Sequence, residues 1–366
     1  MRVLYVMDGT DRGERQMIIG LSREGVEPVV ICHPKGPGQA EFEAAGIRVI
    51  PLVSSGKLDF KAIGKIRSLL KEQSYDLVHV FTKRMLINYT LASFGFQIPV
   101  IAYRGIVGNL SYWDPFSWLS FFNPRIARWV CVCEAIRTYF IEKRLLLFFK
   151  LFDPKRVVTI YKGHRLEWYL QQQGDPVLPT VGVPAGVKVI GCVARMKKRK
   201  GIIELVNAMA LMKSDHQPHL VLVGRVIDED IRKACEQSPV RERIHLLGFN
   251  PEAAQMAAEF DIACLPSLRR EGLPRAVIEA MAQGIAPVVS DAGGSAELIE
   301  PGVSGLVVPP GDSAALAAAF DELLADDGRR KAMGQAAQQR IKDAFSIEQT
   351  LKQTLAIYNE VVLEIN

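Results

Sequence analysis

Long apolar runs are missing: nowhere in the 366 residues is there a stretch of the roughly 20 consecutive apolar residues that a membrane span needs. The opening Met1-Arg2-Val3-Leu4-Tyr5-Val6-Met7 reads as a first strand rather than a signal peptide, so the chain is expected to stay in the cytosol. Cysteine is scarce, with residues only at 32, 131, 133, 192, 235 and 264. None forms a CxxC pair or stands at ligand spacing from a histidine, which argues against a disulfide framework or a zinc site and leaves reduced core residues. Charge of one sign is lacking too. The formal balance of +5 is modest and suggests no nucleic-acid partner, although a cluster of these cations would suit phosphate or an anionic lipid surface. Asp228-Glu229-Asp230 has the DxD form of a metal motif, but no buried apolar strand leads directly into it. Acidic residues in a helix's first turn explain it, and no required metal is expected.

What is present is apolar material for two cores, 49% of the chain, and a length that favours two domains. One stretch organises the rest. Phe260 to Leu265 has the near-continuous apolar character of a parallel strand buried on both faces, and Pro266 ends it. A loop with Arg269, Arg270 and Glu271 follows. Gly272 allows close backbone approach, and Pro274 suits a first helical position, so a helix is predicted from near Leu273. Its free amides and positive dipole end favour a phosphate. Glu271 and Glu279 repel phosphate and are better placed to accept hydrogen bonds from sugar hydroxyls. Together these features suggest a nucleotide-sugar.

The spacing of Glu271 and Glu279, with seven residues between them, resembles the E-x7-E signature of retaining GT-B glycosyltransferases, in particular family 4 (glycosyl transferases group 1). The resemblance continues through Pro287 to Ile299, including Gly293, Gly294 and Glu297, and through Gly302 to Asp312. It implies an α/β fold of the GT-B type: two Rossmann-like doubly wound domains facing each other across a cleft.

The rest of the chain alternates strands and helices in two halves, as such a fold requires. A strand over Val3 to Met7 leads into Gly13-Glu14-Arg15-Gln16, which resembles the end of the family's glycine-rich GGxER loop; Gly13 is the glycine available to the donor diphosphate. Val100 to Gly105 stands where many relatives carry a strand ending in His-Gly or His-Asp. This chain has Tyr103-Arg104 there, and Arg104 reads equally as a binder of an anionic acceptor group or as a surface arginine. Residues 106–126 are the most aromatic segment. Tyr112 and Trp113 make it a candidate for the acceptor side or for shallow bilayer contact. Lys143 to Phe152, an apolar run flanked by cations, has the composition of an interfacial helix, with a core-facing helix as the alternative. Lys162 and Arg165 replace the family's Asn and Asp and add positive charge suited to an anionic acceptor.

The polar run from Gln171 to Pro184 is the best domain boundary. The expected division is residues 1–170, with a returning C-terminal helix at 347–366, as the acceptor domain; 171–186 as linker; and 187–346 as the donor domain. Arg195 to Gly201 resembles the family's G-R-x4-K-G element, which implies that Arg195 and Lys200 reach the diphosphate while Lys197, Lys198 and Arg199 stay solvated. Phe249 and Asn250 lie where the base-binding loop begins. Ser346 to Gln349 fits a capping box, and Leu351, Leu355, Tyr358, Val361 and Val362 form the apolar face of the helix that follows.

The expectation is a retaining glycosyltransferase without metal or other cofactor. It takes a nucleotide-diphosphate sugar, with UDP preferred over GDP, and passes the sugar to a lipid-linked or lipopolysaccharide-type saccharide. Glu271, Arg195 and Lys200 are the catalytic candidates. Glu279, Gly272, Leu273, Pro274, Gly293, Gly294, Glu297, Gly13, Phe249 and Asn250 are the donor contacts; Arg104, Tyr103, Tyr112 and Trp113 belong to the acceptor side. A nucleotide-sugar epimerase and a catalytically silent sugar- or lipid-binding subunit remain open. Peripheral contact with an anionic membrane surface fits the aromatic and basic segments, and the sequence leaves the oligomeric state open.

Overall fold

The computed structural model describes residues 1–364 except 35, 146–148, 171–175 and 214–215. It divides into two compact units, residues 1–163 with 346–366 and residues 164–345. The first division falls after Gly163, seven residues before the expected one, and 177–186 group with the second unit rather than standing as a linker. Part of the polar run, 171–175, lies outside the described residues.

In the first unit the strands are β1 (Arg2–Val6), β2 (Glu27–Cys32), β3 (Arg48–Pro51), β4 (Leu77–Val80), β5 (Val100–Arg104), β6 (Ile126–Cys131), a hairpin of β7 (Arg144–Leu145) with β8 (Phe149–Lys150), and β9 (Val157–Thr159). Seven of them form a parallel sheet in the order β3-β2-β1-β4-β5-β6-β9. Central β1 is covered on both faces, with Val3 to Val6 wholly buried, which is why its sequence is continuously apolar instead of alternating. The order reverses between β1 and β4, so the loops that leave their carboxyl ends diverge and open a crevice.

The second unit repeats the plan with β10 (Val189–Val193), β11 (His219–Val223), β12 (Ile244–Gly248), β13 (Ile262–Leu265), β14 (Ala286–Ser290) and β15 (Leu306–Val308). Their order is β12-β11-β10-β13-β14-β15, all parallel, and the reversal lies between β10 and β13.

The helix Ile347–Leu363 packs on the first unit. Ser346 caps it by accepting from Gln349 N at 3.3 Å. Its fully buried side chains are Ile347, Thr350, Thr354, Tyr358 and Val361, whereas Leu351, Leu355 and Val362 are only half-buried. The expected face is thus rotated toward two threonines, whose small side chains let the helix approach closely. Thr350 Oγ1 donates to Tyr161 O at 2.7 Å, and Tyr358 OH meets His79 Nδ1 at 2.6 Å.

Two local expectations change. In the run 143–152, of which 146–148 lie outside the described residues, Arg144–Leu145 pairs antiparallel with Phe149–Lys150 as the β7–β8 hairpin, and the described residues form no interfacial helix. A short apolar run with cations at both ends has no period that separates helix from strand. The helix after β13 runs over Arg275–Ala282, with Pro274 as its N-cap at ψ 110° and not as its first residue. Pro274 O then accepts from Val277 N and Ile278 N at 3.1 and 3.3 Å.

Candidate functional site

Four segments gather at the carboxyl ends of β10, β13 and β14, on the reversal side of the second sheet. The first is the loop Ala194–Gly201, which tightens into a single 3-10 turn over Lys198–Lys200. Gly201 ends it at φ +70°, and an added Cβ would lie 1.9 Å from Pro266 O, so only glycine lets the β10 and β13 loops meet. Arg199 O then accepts from Leu268 N at 2.8 Å.

The second segment, after β13, presents Glu271. Its side chain is 7% exposed, and one oxygen, Oε1, takes Lys200 Nζ at 2.8 Å, Arg199 Nη1 at 2.9 Å and Ser267 Oγ at 2.8 Å. A carboxylate so far from water needs such partners. Arg270, just before it, sits in the left-handed region at φ +64°. That is a strained position for a non-glycine residue and characteristic of functional loops.

The third segment, after β14, fixes the backbone of Glu271. Ala292 O accepts from Glu271 N at 3.0 Å, and Glu271 O accepts from Gly294 N at 3.1 Å. Gly293, at φ +89°, would place a Cβ 2.5 Å from Glu271 O, so its glycine is required by this stitching. Ser290 Oγ donates to Ser267 O and closes the wall.

The fourth segment is the helix carrying Glu279, whose carboxylate is 16% exposed and takes Arg275 Nε at 3.0 Å. Burial pushes the Glu279 carboxyl above the ordinary range, and Arg275 offsets this only in part. The raised acid contributes stability below the unfolded carboxylate range and loses it as pH rises through the folded value. Glu279→Gln should therefore leave the free protein as stable as wild type or more so at neutral pH. A comparison of melting temperatures from acid to neutral pH checks this: the variant's advantage should grow with pH, and a growing disadvantage would contradict the assignment.

The structure thus brings Lys200, Glu271, Gly272, Gly293 and Gly294 together. Arg199 and Ser267 join them without having been anticipated; the one signal was their position beside Lys200 and Pro266. Arg199 is a correction, since it was expected to be solvated. Lys198 is also paired, with Asp230 at 2.6 Å, and its amide donates to Asp228 at 2.6 Å, which accounts for the DxD acids. Arg195 is exposed, as is Phe249 at 78%; Asn250 Oδ1 accepts from Glu252 N at 2.8 Å and so caps its own turn. Leu273 and Glu297 are half-buried, and Pro274 is buried.

The first unit holds the remaining candidates. Gly13 is buried, and its missing side chain makes room for Gly163 O and Lys162 Cγ, 3.0 and 3.2 Å from an added Cβ. It packs against the chain instead of standing open for a ligand. Lys162 lies against Asp11 and, at 3.0 Å, Glu14. Burial alone would lower its pKa, but Tyr103, Glu14 and Asp11 overturn this and hold it well above its ordinary value. Its charge is balanced inside the unit, contrary to the expectation that it serves an anionic acceptor.

Arg104 is likewise internal. Its Nε donates to Ile106 O at 3.0 Å, another donor reaches Gly108 O, and the guanidinium lies 4.8 Å from the centre of Phe121. Burial lowers its pKa to about 10. It therefore shapes the loop after β5 and does not reach out from it. Tyr112 OH donates to Arg144 O, and Lys143 Nζ lies 5.0 Å from its ring, so the aromatic segment and the hairpin are joined. Trp113 projects from them, 90% exposed.

Two family models match this chain: "Glycosyl transferases group 1" over residues 179–340 and "Glycosyltransferase Family 4" over residues 7–168. Among curated relatives, the lipopolysaccharide core biosynthesis mannosyltransferase LpcC of Rhizobium leguminosarum bv. viciae is 31% identical over 192 residues, covering 50% of this chain and 54% of that protein. The chain spans about half the length of several curated relatives it matches. The UDP-Gal:alpha-D-GlcNAc-diphosphoundecaprenol alpha-1,3-galactosyltransferase of Escherichia coli matches more weakly, at 21% identity, but over 99% of this chain and 96% of its own. Among solved structures, Anabaena Alr3699/HepE in complex with UDP superposes with a TM-score of 0.79 at 21% identity, covering 98% of this chain and 100% of that one. At that identity the likeness shows the fold, GT-B, alone.

Proposed function

Because this chain belongs to the glycosyl transferases group 1 family, we propose that it is a retaining glycosyltransferase that moves a sugar from a nucleoside-diphosphate donor to a saccharide acceptor. The observation that carries the reading is Glu271: a nearly buried carboxylate braced by Lys200, Arg199 and Ser267, with its backbone stitched to Gly294 at the sheet's reversal. In this assignment Glu271 accepts hydrogen bonds from the donor sugar and Glu279 from the ribose. Gly272 and Leu273 amides, Lys200 and exposed Arg195 take the diphosphate, and Phe249 offers a face to the base. The bond between the sugar's anomeric carbon and the diphosphate oxygen breaks while a bond to the acceptor oxygen forms on the same face. The acceptor's proton passes to the leaving phosphate. Positive charge from Arg195 and Lys200 offsets what builds on the leaving group, and no metal is required. UDP is the preferred nucleotide, supported by the Anabaena relative's complex with it.

The acceptor is a lipid-linked or lipopolysaccharide-type saccharide, met by the first unit at the cytoplasmic face of a membrane. Its support is the joined aromatic and hairpin segments, with Trp113 and Phe149 exposed at 90% and 66% beside Lys143 and Lys150. Trp at an interface and lysine near anionic lipid both favour such contact. No helix among the described residues is long and apolar enough to cross a membrane.

The test is binding and hydrolysis of UDP-, GDP-, ADP- and dTDP-sugars by wild type, Glu279→Ala and Arg195→Ala. Selective turnover lost in both variants is expected. Binding without transfer to any acceptor would favour a silent subunit, conversion of the donor sugar itself an epimerase, and no binding at all would end the donor-site assignment.

A further inference from the structure

Inside the first unit, under the turn that follows β1, lies a small cavity with about 20 Å³ of room for a water centre. Among the residues lining it are Glu14, His79, Phe81, Tyr103, Lys162 and Thr354. Two polar atoms at this place make no hydrogen bond of ordinary geometry among the described residues, His79 Nε2 and Tyr103 OH, although Lys162 stands near enough to act on the Tyr103 phenol. His79 is 1% exposed. Phe81 lies against both rings, its centroid 4.4 Å from that of His79 and 4.9 Å from that of Tyr103, and the two polar rings stay 6.3 Å apart.

Buried polar atoms in folded proteins are almost always hydrogen-bonded, and cavities that stay empty are lined by apolar groups. This cavity is large enough for one water by the measure of about 10–15 Å³ and offers more than one polar neighbour. His79 Nδ1 already faces Tyr358 OH at 2.6 Å, and burial keeps the ring neutral by lowering its pKa to about 3. A neutral imidazole has one N–H and one lone pair. Whichever of the two Tyr358 engages, Nε2 is left with the other to satisfy.

We propose that a single buried water occupies this cavity and bridges His79 Nε2 to the Tyr103 phenol. The bridge completes a polar path through the unit, from Tyr358 on the helix Ile347–Leu363, through His79 and Tyr103, to Lys162, whose Nζ lies 5.6 Å from the centre of the Tyr103 ring, and to its partners Asp11 and Glu14. Asp11 and Glu14 are the two halves of the capping box that opens the helix Arg12–Arg23: Glu14 N donates to Asp11 Oδ1 at 2.9 Å, and Asp11 N to Glu14 Oε2 at 3.2 Å. His79 and Tyr103 are then positioning residues for that turn. This inference is independent of the donor assignment.

The first measurement is a high-resolution crystal structure of the full chain, with a water expected within about 2.7–3.2 Å of both atoms. The second is nitrogen NMR of His79 in wild type and Tyr103→Phe. The Nε2 signal should move in the variant, and the amides of Glu14 and Arg15 should exchange roughly ten-fold faster, as the loss of one hydrogen bond in a connected path implies. Tyr89→Phe, at another buried tyrosine that does not line the cavity, should change neither. A dry cavity in the wild-type map would overturn the proposal whether or not the variant folds. An unmoved His79 signal in Tyr103→Phe would do the same. Neither readout uses a nucleotide-sugar, so failure here leaves the proposed activity standing.

Discussion

Glu271→Gln will slow sugar transfer by roughly 10- to 150-fold, the value of about 1.5–3 kcal/mol for a hydrogen bond to a charged group, yet bind the bare nucleoside diphosphate at least as tightly as wild type. In the proposed assignment the two effects have opposite signs because Glu271 acts on two neighbours. Toward the sugar it is an acceptor, and an amide replaces that poorly. Toward Lys200 and Arg199 it is a counter-ion 2.8 and 2.9 Å away that competes with any incoming phosphate. Removing its charge frees both cations for the diphosphate. Calorimetric titration with UDP and GDP beside a transfer or donor-hydrolysis assay separates the two. Equal weakening of nucleotide binding and turnover would mean that Glu271 only holds the loop together, and the sugar-contact role would be lost.

Gly201→Ala should be among the most damaging small substitutions in the second unit. The new methyl would stand 1.9 Å from Pro266 O, backbone against backbone, at φ +70°, where a side chain is already disfavoured. Overpacking of this kind costs about 1–3 kcal/mol or more, and a fall of several degrees in melting temperature is expected on that scale. Gly182 provides the control: it has φ +88° and nothing within 4 Å of an added Cβ, so Gly182→Ala tests the backbone conformation without the clash. Because the clash pushes the β10 loop from the β13 loop, Gly201→Ala should also lose nucleotide affinity, which Gly182→Ala should keep. If the two variants melt alike, the close approach of the loops is not what the glycine serves.

Much of this architecture was legible in the chain. The strands Arg2–Val6 and Ile262–Leu265 fall close to where their apolar content places them, because a parallel strand buried on both faces leaves an unbroken apolar signature. What escaped depends on contacts that composition does not encode, some local and some distant in sequence. Whether Arg104 reaches solvent is decided by carbonyls at Ile106 and Gly108 and by the ring of Phe121. The charge on Lys162 is answered by residues about 150 positions earlier, Asp11 and Glu14. Arg199, read as solvated within a run of cations, turns onto Glu271 because Gly201 draws the two loops together. The pairing of Arg144–Leu145 with Phe149–Lys150 and the buried threonines of the helix Ile347–Leu363 escaped for a related reason. Composition records how apolar a segment is, not which face a neighbour will cover.

The return of the helix Ile347–Leu363 to the first unit sets an order on synthesis. Tyr358 and Val361, wholly buried among first-unit residues, emerge from the ribosome only after all of residues 164–345 have been made. The second unit therefore holds every residue of its own sheet and core before the first unit can close. Until then the first unit waits with His79 and Tyr5 uncovered, an open surface that a folding chaperone or a neighbouring nascent chain would meet before the helix does.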